Sequence, residues 1–319
     1  MALAFLFPGQ GSQAPGMGRD LAAAFSTARE VFEEVDEALK QRLTRLMFEG
    51  PAEELTLTAN AQPALMAVSV AVLRVLEREG GFDLGTRVAL VAGHSLGEYS
   101  ALTAARAFDL ADAARLLRLR GEAMQKATPP GTGAMAALLG AEIDQARAVC
   151  ERAAEDPETG ERQVVEVAND NGGGQVVVSG HKAAVERAVE IAKAEGIRRA
   201  MLLPVSAPFH CTLMAPAAEA MAEALERVTI REPVVPVVAN VTAAKATDPA
   251  EIRELLVRQV TGTVRWRECV QAMAAMGCDR FVELGAGKVL TGLMKRLAPE
   301  ATASAIGTPA EVEAFLKSL

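Results

Sequence analysis

The segment 87–108, RVALVAGHSLGEYSALTAARAF, constrains the fold of this chain more than any other. Its residues 88–92 are small or β-branched apolar residues followed by a glycine, which predicts a short buried strand. Ser95 then stands between Gly93 and Gly97 in the order G-x-S-x-G, and the proline-free stretch 96–108 predicts a helix. A serine on a sharp turn between strand and helix is a nucleophile elbow. We therefore expect a nucleophilic Ser95, with the backbone N–H of Leu96 and the start of the helix facing an oxyanion.

Composition narrows the class of protein further. Half of the 319 residues are hydrophobic, which suits two domains or one large α/β domain with an insertion. A net charge of −8 argues against a nucleic-acid-binding protein, because such proteins present basic faces to phosphates. No apolar run is expected to reach the roughly 20 residues that span a bilayer, and MALAFLFPGQG lacks the basic region of a signal peptide. We therefore expect a cytoplasmic protein without a membrane partner.

The cysteines give no sign of a metal or redox site. The four of them are scattered and form no C-x-x-C pair. Free thiols in a reducing cell are the expected state, and no metal site is predicted. The residues are Cys150, Cys211, Cys269 and Cys278.

The order of predicted elements divides the chain into two parts. The Pro- and Gly-rich stretch 128–133 predicts a hinge, and the patterns after it follow the β-α-β-β-α-β order of a ferredoxin-like unit. We therefore expect residues 131–204 to form an inserted small domain, and residues 1–130 and 205–319 to form the catalytic domain. In the insertion, strands are predicted at 134–139, 164–168, 175–179 and 199–205, and helices at 142–154 and 182–195. Elsewhere, strands are predicted at 2–7, 88–92, 234–239 and 280–283, and helices at 19–48, 61–79, 110–127, 215–227, 249–260 and 265–277.

A serine nucleophile needs a base, and the chain has three histidines. His94 adjoins Ser95 on the sharp turn, so its side chain is expected to point away, and His181 is expected to be solvated near a helix start. His210 lies in the proline-shaped loop VSAPFHC, where α/β folds place catalytic groups. With an ordinary pKa near 6.5 it can accept and return the serine proton, so we predict it as the base.

No acidic partner for His210 is evident. None of the aspartates between Ser95 and His210 lies in a convincing loop at a strand end, although hydrolases of this type place an acid there. We therefore expect a neutral group to orient His210, which weakens the interpretation as a plain esterase.

Two glycine-rich segments have more than one interpretation. The segment 9–14, GQGSQA, fits the dinucleotide fingerprint G-x-G-x-x-A, but no acidic residue closes a second strand at the required distance. The alternative is that the backbone N–H of Gln10 is a second oxyanion donor. The segment 285–288, GAGK, lacks the upstream glycine and the following Ser or Thr of a phosphate-binding loop, so it predicts a tight turn.

Several short motifs occur in order along almost the whole chain. They are PGQGSQ (8–13), GPAEEL (50–55), QPAL (62–65), GHSLGEYSAL (93–102), RGEAM (120–124), SAPFH (206–210), VRW (264–266) and ELGAGKVL (283–290). Together they resemble the malonyl-CoA:acyl-carrier-protein transacylase family. The resemblance implies an α/β fold with an α/β-hydrolase-like large domain and an inserted ferredoxin-like small domain, in agreement with the element order above.

The resemblance also implies a reaction. A malonyl group would pass from malonyl-CoA to the phosphopantetheine thiol of acyl carrier protein in fatty acid biosynthesis, with Ser95 carrying the malonyl ester and His210 acting as base. Arg120 would bind the free malonyl carboxylate, a planar anion that suits a bidentate guanidinium. The main-chain carbonyl of Gln259 would orient His210, which accounts for the missing acid.

The remaining roles follow from the same resemblance. Gln10 and Leu96 would supply the oxyanion N–H groups, Gln62 would line the pocket, and Phe209 resembles an aromatic used to select malonyl over methylmalonyl groups. No cofactor is implied, the partners are malonyl-CoA and acyl carrier protein, and a monomer is expected. Arg198, Arg199 and Lys288 are candidates for docking the acidic carrier. The alternative is a serine thioesterase or esterase, in which water accepts the acyl group.

Overall fold

The computed structural model describes residues 2–197, 199–205 and 207–319. In chain order, its strands are β1 (Ala2–Phe7), β2 (Leu90–Gly93), β3 (Gly133–Leu139), β4 (Val165–Asp170), β5 (Gln175–His181), β6 (Arg199–Leu202), β7 (Val237–Val238), β8 (Lys245–Ala246), β9 (Cys278–Leu284) and β10 (Thr302–Ile306). Its helices are α1 (Arg19–Ala24), α2 (Ser26–Leu39), α3 (Leu43–Glu49), α4 (Ala52–Thr56), α5 (Thr58–Arg78), α6 (Leu84–Arg87), α7 (Gly97–Ala104), α8 (Leu110–Lys126), α9 (Ile143–Ala153), α10 (Lys182–Ala194), α11 (Ala215–Glu226), α12 (Pro249–Thr261), α13 (Trp266–Ala275), α14 (Val289–Leu297) and α15 (Pro309–Lys317), with a 3₁₀ turn at Thr212–Met214.

The larger sheet is mostly parallel and has the strand order β10-β9-β1-β2-β7-β8. Only its last pair, β7 with β8, is antiparallel among the strands that the structure describes. In β1, Leu3, Phe5 and Phe7 pack into the helical layer on one side, while Ala4 and Leu6 pack against α13 and α14 on the other. Because both faces are covered, this strand is apolar throughout its length.

The smaller sheet is antiparallel, with the order β4-β5-β3-β6. Helices α9 and α10 cover one of its faces with small apolar residues. The predicted β-α-β-β-α-β order is confirmed, with the last strand ending at Leu202 rather than at 205. The mixed α/β character expected for the whole chain is likewise observed.

Several predicted boundaries are wrong, and backbone geometry explains them. The single helix expected at 19–48 is divided into α1, α2 and α3, because Phe25 is extended and Lys40 has a left-handed φ of 49°. The helix after the serine ends at Ala104, before the left-handed Arg106 with a φ of 65°. The strand expected at 234–239 is reduced to β7, and the sequence analysis assigned no elements to β8, α14, β10 and α15.

The expectation about apolar runs also needs correction. Helix α5 is long and apolar enough to cross a bilayer. However, 89% of its most apolar 18-residue stretch is buried inside the protein. No other helix within the described ranges passes the same test.

Candidate active site

The turn after β2 holds Ser95 in a strained conformation. Ser95 has a φ of 54°, in the left-handed region that non-glycine residues rarely adopt. A Cβ on Gly93 would lie 1.8 Å from the Gly97 carbonyl oxygen, and one on Gly97 would lie 2.3 Å from the Phe7 carbonyl oxygen. Both positions therefore require glycine, and the strand, turn and helix occur where the sequence predicted them, with the strand starting at Leu90.

Ser95 and His210 are in direct contact although they are far apart in the chain. Ser95 Oγ lies 2.7 Å from His210 Nε2, and His210 Nδ1 lies 2.9 Å from the carbonyl oxygen of Gln259. A carbonyl oxygen can only accept, so Nδ1 carries the proton and the Nε2 lone pair faces the serine hydroxyl. Burial, reinforced by the charge of Arg120, lowers the pKa of His210 to about 3. The imidazole is therefore neutral and ready to accept a proton at physiological pH.

Arg120 lies beside the same hydroxyl. The residue is only 1% exposed and comes from α8. Its Nη1 donates to Gln62 Oε1 at 2.7 Å, and its Nη2 donates to Gln259 Oε1 at 2.9 Å and to Ser95 Oγ at 3.2 Å. A buried guanidinium in contact with a nucleophile provides a binding point for an anionic group attached to that nucleophile.

A buried network holds the turn in place, and the sequence analysis named only Gln259 of its side chains. Asn240, at the end of the β7 segment, accepts from the Ser95 backbone N–H at 2.9 Å and donates from Nδ2 to the Gly93 carbonyl at 2.8 Å. Gln259 Nε2 donates to the Ser95 carbonyl at 3.0 Å and to Glu98 Oε2 at 3.0 Å. Gln259 thus acts through its side chain as well as its carbonyl. Only proximity in space reveals Asn240, because no local motif surrounds it.

The other two histidines have different partners. His94 Nε2 lies 2.8 Å from Asn171 Oδ1, so its ring points away from Ser95 Oγ while still lining the cavity. The Nδ1 atom of His181 accepts from the Val164 backbone N–H at 2.9 Å, which ties the start of β4 to the end of β5. His181 is only partly exposed and lies outside the cavity, so its role is structural rather than that of a freely solvated residue.

A cavity of about 390 Å³ opens above Ser95. Apolar side chains from the smaller sheet and its connection, including Met135, Val177 and Leu203, form one wall. The structure brings seven of the predicted residues together in its lining, and Gln259 contacts three of them, Ser95, Arg120 and His210. The lining residues predicted from the sequence are Ser95, His210, Arg120, Gln10, Leu96, Gln62 and Phe209.

The two glycine-rich segments are turns that end strands of the larger sheet. A Cβ on Gly9 would lie 2.8 Å from the His94 carbonyl oxygen, so the first segment packs closely against the serine turn and places Gln10 at the cavity. In the second, Gly285 and Gly287 have φ values of 131° and 78°, as a tight turn requires. Lys288 pairs with Glu311 at 2.7 Å.

The other docking candidates are Arg198 and Arg199. Arg199 is exposed at the start of β6, and Arg198 lies outside the described residues, as does Ser206 of the SAPFH motif. No group of three or more His, Cys, Asp or Glu residues in the described ranges is arranged to hold a metal ion.

A serine–histidine pair on an α/β sheet, with a buried arginine beside the serine hydroxyl, fits the class of enzymes that carry an acyl group on a serine. Residues 4–309 match the family described as acyl transferase domain. The chain is 49% identical over 314 residues to the malonyl CoA-acyl carrier protein transacylase of Escherichia coli strain K12, with 98% of each chain covered. It superimposes with a TM-score of 0.95 and 54% identity on the acyl-carrier-protein-S-malonyltransferase from Bartonella henselae, covering 100% and 99% of the two chains.

A second similar structure contains a protein partner. It is a type II PKS acyl-carrier protein in complex with its malonyl-transacylase, with a TM-score of 0.94, 43% identity and 100% of both chains covered. The chain therefore belongs to the malonyl CoA-acyl carrier protein transacylase family.

Proposed function

We propose that this protein moves a malonyl group from malonyl-CoA to the phosphopantetheine thiol of acyl carrier protein through a malonyl ester on Ser95. The observation that carries the proposal is that one hydroxyl lies 2.7 Å from a neutral histidine and 3.2 Å from a buried arginine. The histidine activates the hydroxyl, and the arginine selects an acyl group that bears a free carboxylate. The named relatives, including the one in complex with a carrier protein, support this choice of donor and acceptor.

In the first half-reaction, Ser95 Oγ attacks the thioester carbonyl while His210 Nε2 takes the hydroxyl proton. The carbonyl oxygen becomes an oxyanion that the backbone N–H groups of Gln10 and Leu96 stabilise, helped by the positive end of α7. The C–S bond then breaks, the thiolate of coenzyme A takes the proton from His210, and the malonyl group remains on Ser95.

The second half-reaction reverses these steps with another thiol. The thiol of the carrier gives its proton to His210 and attacks the ester carbonyl. Collapse of the intermediate breaks the C–O bond, and Ser95 recovers its proton from His210. A protein that presents its thiol on a long arm can reach the nucleophile through the cavity mouth.

Selectivity for the malonyl group follows from two residues that line the cavity, Arg120 and Phe209. The carboxylate of the malonyl group would pair with Arg120, which Gln62 and Gln259 hold in position at 2.7 and 2.9 Å. Phe209 lines the cavity beside the base and limits bulk next to the acyl group. An acetyl group would leave the buried guanidinium without its partner, which is unfavourable.

We further propose that residues 1–130 and 205–319 form one α/β-hydrolase-like catalytic domain, and that residues 131–204 form the ferredoxin-like insertion. The separate antiparallel sheet β4-β5-β3-β6, with its helices on one face, supports this division. A single chain supplies every residue of the site, which fits a monomer. All four cysteines are free and buried, which fits a reducing, cytoplasmic setting.

Mass spectrometry of the protein mixed with malonyl-CoA tests the proposal. We expect a malonyl adduct that peptide mapping places on Ser95, that is absent from Ser95→Ala, and that disappears when holo acyl carrier protein is added as malonyl-carrier forms. An adduct on another residue, or one retained by Ser95→Ala, would overturn the role of Ser95. Loss of the adduct only to water would instead favour a thioesterase.

A further inference from the structure

Glu98 is a buried carboxylate for which the proposed reaction has no task. It lies in the first turn of α7 and is 2% exposed. Its Oε2 accepts from the Asn240 backbone N–H at 2.9 Å and from Gln259 Nε2 at 3.0 Å. Burial raises the pKa of Glu98 to about 7, while these hydrogen bonds and the charge of Arg120 act in the opposite direction. A carboxylate in such a position is costly unless it is compensated, so its presence requires a reason.

Arg120 presents the complementary case. Its acceptors among the described residues are neutral oxygens, those of Gln62, Gln259 and Ser95. Its Nε is buried and has no acceptor there. A buried cation held only by neutral groups is compensated through a nearby opposite charge or through an incoming anion.

One amide connects the two charges. Gln259 Oε1 accepts from Arg120 Nη2 at 2.9 Å, and Gln259 Nε2 donates to Glu98 Oε2 at 3.0 Å. The oxygen end of the amide therefore faces the cation and its nitrogen end faces the anion. This orientation is the one that both charges favour, and in a buried setting each polarises the bond to the other.

We infer that Glu98 is the resident counter-charge of Arg120 and a determinant of selectivity for acyl groups with a free carboxylate, with the Gln259 amide as spacer. A direct ion pair would occupy the guanidinium and compete with the substrate carboxylate. Without any counter-charge, the cation would bind that carboxylate more tightly in the loaded enzyme. With one amide between them, Glu98 compensates the charge of Arg120 while the guanidinium stays accessible to the substrate carboxylate. The inference rests on the proposed function, because it assumes that a carboxylate reaches Arg120.

Glu98→Gln tests the inference because it removes the charge and retains an oxygen acceptor. At about pH 8.5, where Glu98 is mainly ionised, we expect the ratio of kcat/KM for malonyl-CoA to kcat/KM for acetyl-CoA to rise at least about fivefold, a common size for coupling between two sites. In a Ser95→Ala background, free malonate should also bind more tightly after Glu98→Gln. If Glu98 were merely structural, Glu98→Gln would lower kcat/KM for both substrates by the same factor. An unchanged or lower ratio of the two kcat/KM values would therefore overturn the inference.

Glu283→Gln is the matched control. Glu283 is another buried carboxylate, 0% exposed, and its oxygens accept from the Leu290 and Thr291 backbone N–H groups at 3.2 and 2.7 Å. It has no hydrogen bond to the Arg120 network, so its neutralisation should leave the substrate ratio unchanged. A ratio that rises equally in both variants would show a general effect of charge and would contradict the specific role of Glu98.

A second comparison covers the case in which Glu98→Gln folds poorly. If the two charges compensate each other, Arg120→Gln should partly restore the thermal stability lost in Glu98→Gln, and the double variant should have the higher Tm. A double variant no more stable than Glu98→Gln would overturn the inference. Failure of the wild-type protein to load malonyl would instead overturn the proposed function, so the two failures are distinguishable.

Discussion

At the scale of single residues, the surroundings of the two ring nitrogens of His210 determine what it can do. The Gln259 carbonyl fixes the proton on Nδ1, and the serine hydroxyl faces Nε2. A neutral carbonyl thus performs the orienting part that an acid performs in other serine enzymes. Its hydrogen bond raises the pKa of the histidine, but burial and the charge of Arg120 lower that pKa by more.

Removal of the base should be costly to the reaction. His210→Ala is expected to lower the rate of malonyl transfer by roughly 10²–10⁴, the usual contribution of a general base. His181→Ala serves as control, because its ring accepts from the Val164 backbone N–H and lies outside the cavity lining. Steady-state transfer to the carrier is the measurement. A large loss in His181→Ala with normal activity in His210→Ala would reverse the assignment.

The ionisation of His210 should be unusual. Burial and the charge of Arg120 lower its pKa to about 3, so the folded protein leaves the ring neutral where an ordinary histidine becomes charged near 6.5. Below 6.5 the unfolded chain takes up a proton that the folded chain refuses until about pH 3, so this group lowers stability as the pH falls across that window. NMR of labelled histidines should show no titration of His210 near 6.5. A His210 resonance that titrates there in the empty enzyme contradicts the burial argument.

Arg120 should control the choice of acyl group rather than the rate for all of them. Arg120→Ala is expected to lower kcat/KM for malonyl-CoA by roughly 100-fold or more, as for loss of one partner of a buried charge pair, and to narrow its gap to acetyl-CoA. Arg120→Lys should restore part of the difference, because an ammonium cannot present two parallel donors. Comparison of both substrates with each variant decides the matter. An equal fall in kcat/KM for malonyl-CoA and acetyl-CoA would show that Arg120 binds coenzyme A or supports the fold.

At the scale of elements, the serine turn is fixed by contacts between backbones. The β1 and β2 strands run in parallel with Phe7 opposite Gly93, and the His94 backbone N–H continues the pairing to the Phe7 carbonyl at 3.0 Å. The helix α7 then begins against the end of β1. The space between these segments is too small for a side chain at Gly93 or Gly97.

Gly93→Ala should therefore disrupt the turn. Its Cβ would lie 1.8 Å from a carbonyl oxygen that belongs to the backbone of α7 and cannot move independently. We expect a loss of stability above about 4 kcal/mol, at the far end of what point mutations cause. Gly292→Ala in α14 is the control, because outside its own helix no atom of the described residues lies within 4 Å of the added Cβ, and alanine favours helix by about 1 kcal/mol. Thermal unfolding compares them, and a Gly93→Ala protein with an unchanged Tm would refute the steric argument.

At the scale of the whole molecule, the smaller sheet is joined to the segment that follows α12. The Asp170 backbone N–H donates to the Val264 carbonyl at 3.0 Å, and the Val264 N–H donates to the Ala168 carbonyl at 2.9 Å. On the other side, Glu166 accepts from the Thr212 N–H and hydroxyl, each at 2.9 Å, just beyond His210. The smaller sheet thus supports the two segments that carry His210 and the Gln259 carbonyl to which it donates.

The ion pair between Arg267 and Asp170 should stabilise this junction. Arg267 approaches the Asp170 carboxylate at 2.8 and 2.9 Å, and the Asp170 side chain is only 4% exposed. Arg267→Ala leaves a buried carboxylate without its partner, at a cost of roughly 3 kcal/mol. Arg147→Ala, which removes an exposed pair with Asp144, should cost no more than about 0.5 kcal/mol. Unfolding in urea measures the free energy of unfolding of both variants. Equal values would contradict the stabilising role of the Arg267–Asp170 pair.

Local sequence by itself predicts most of the elements and the sharp turn that holds Ser95. The turn is predicted from neighbouring residues: the two glycines around Ser95, the apolar strand before it and the helix after it. Such a pattern can be recognised without a structure. The order of strands and helices in the smaller sheet can be predicted for the same reason, because each element has its own local pattern. His210 was identified because it is one of three histidines and the other two lie in less suitable contexts. The resemblance of the ordered motifs supplied the positions of Arg120 and Gln259.

Only the tertiary structure decided how these residues are connected. Glu98, Asn240 and Gln259 are distant in the chain and meet because β7 pairs with β2 beside the helix that bears Glu98. The same packing removes water from Arg120 and His210 and so shifts their ionisation. The helical breaks at Phe25 and Lys40 were likewise not predicted from the sequence pattern. Hydrogen bonds and burial between distant segments are properties of the folded chain, because both depend on which surfaces exclude solvent together.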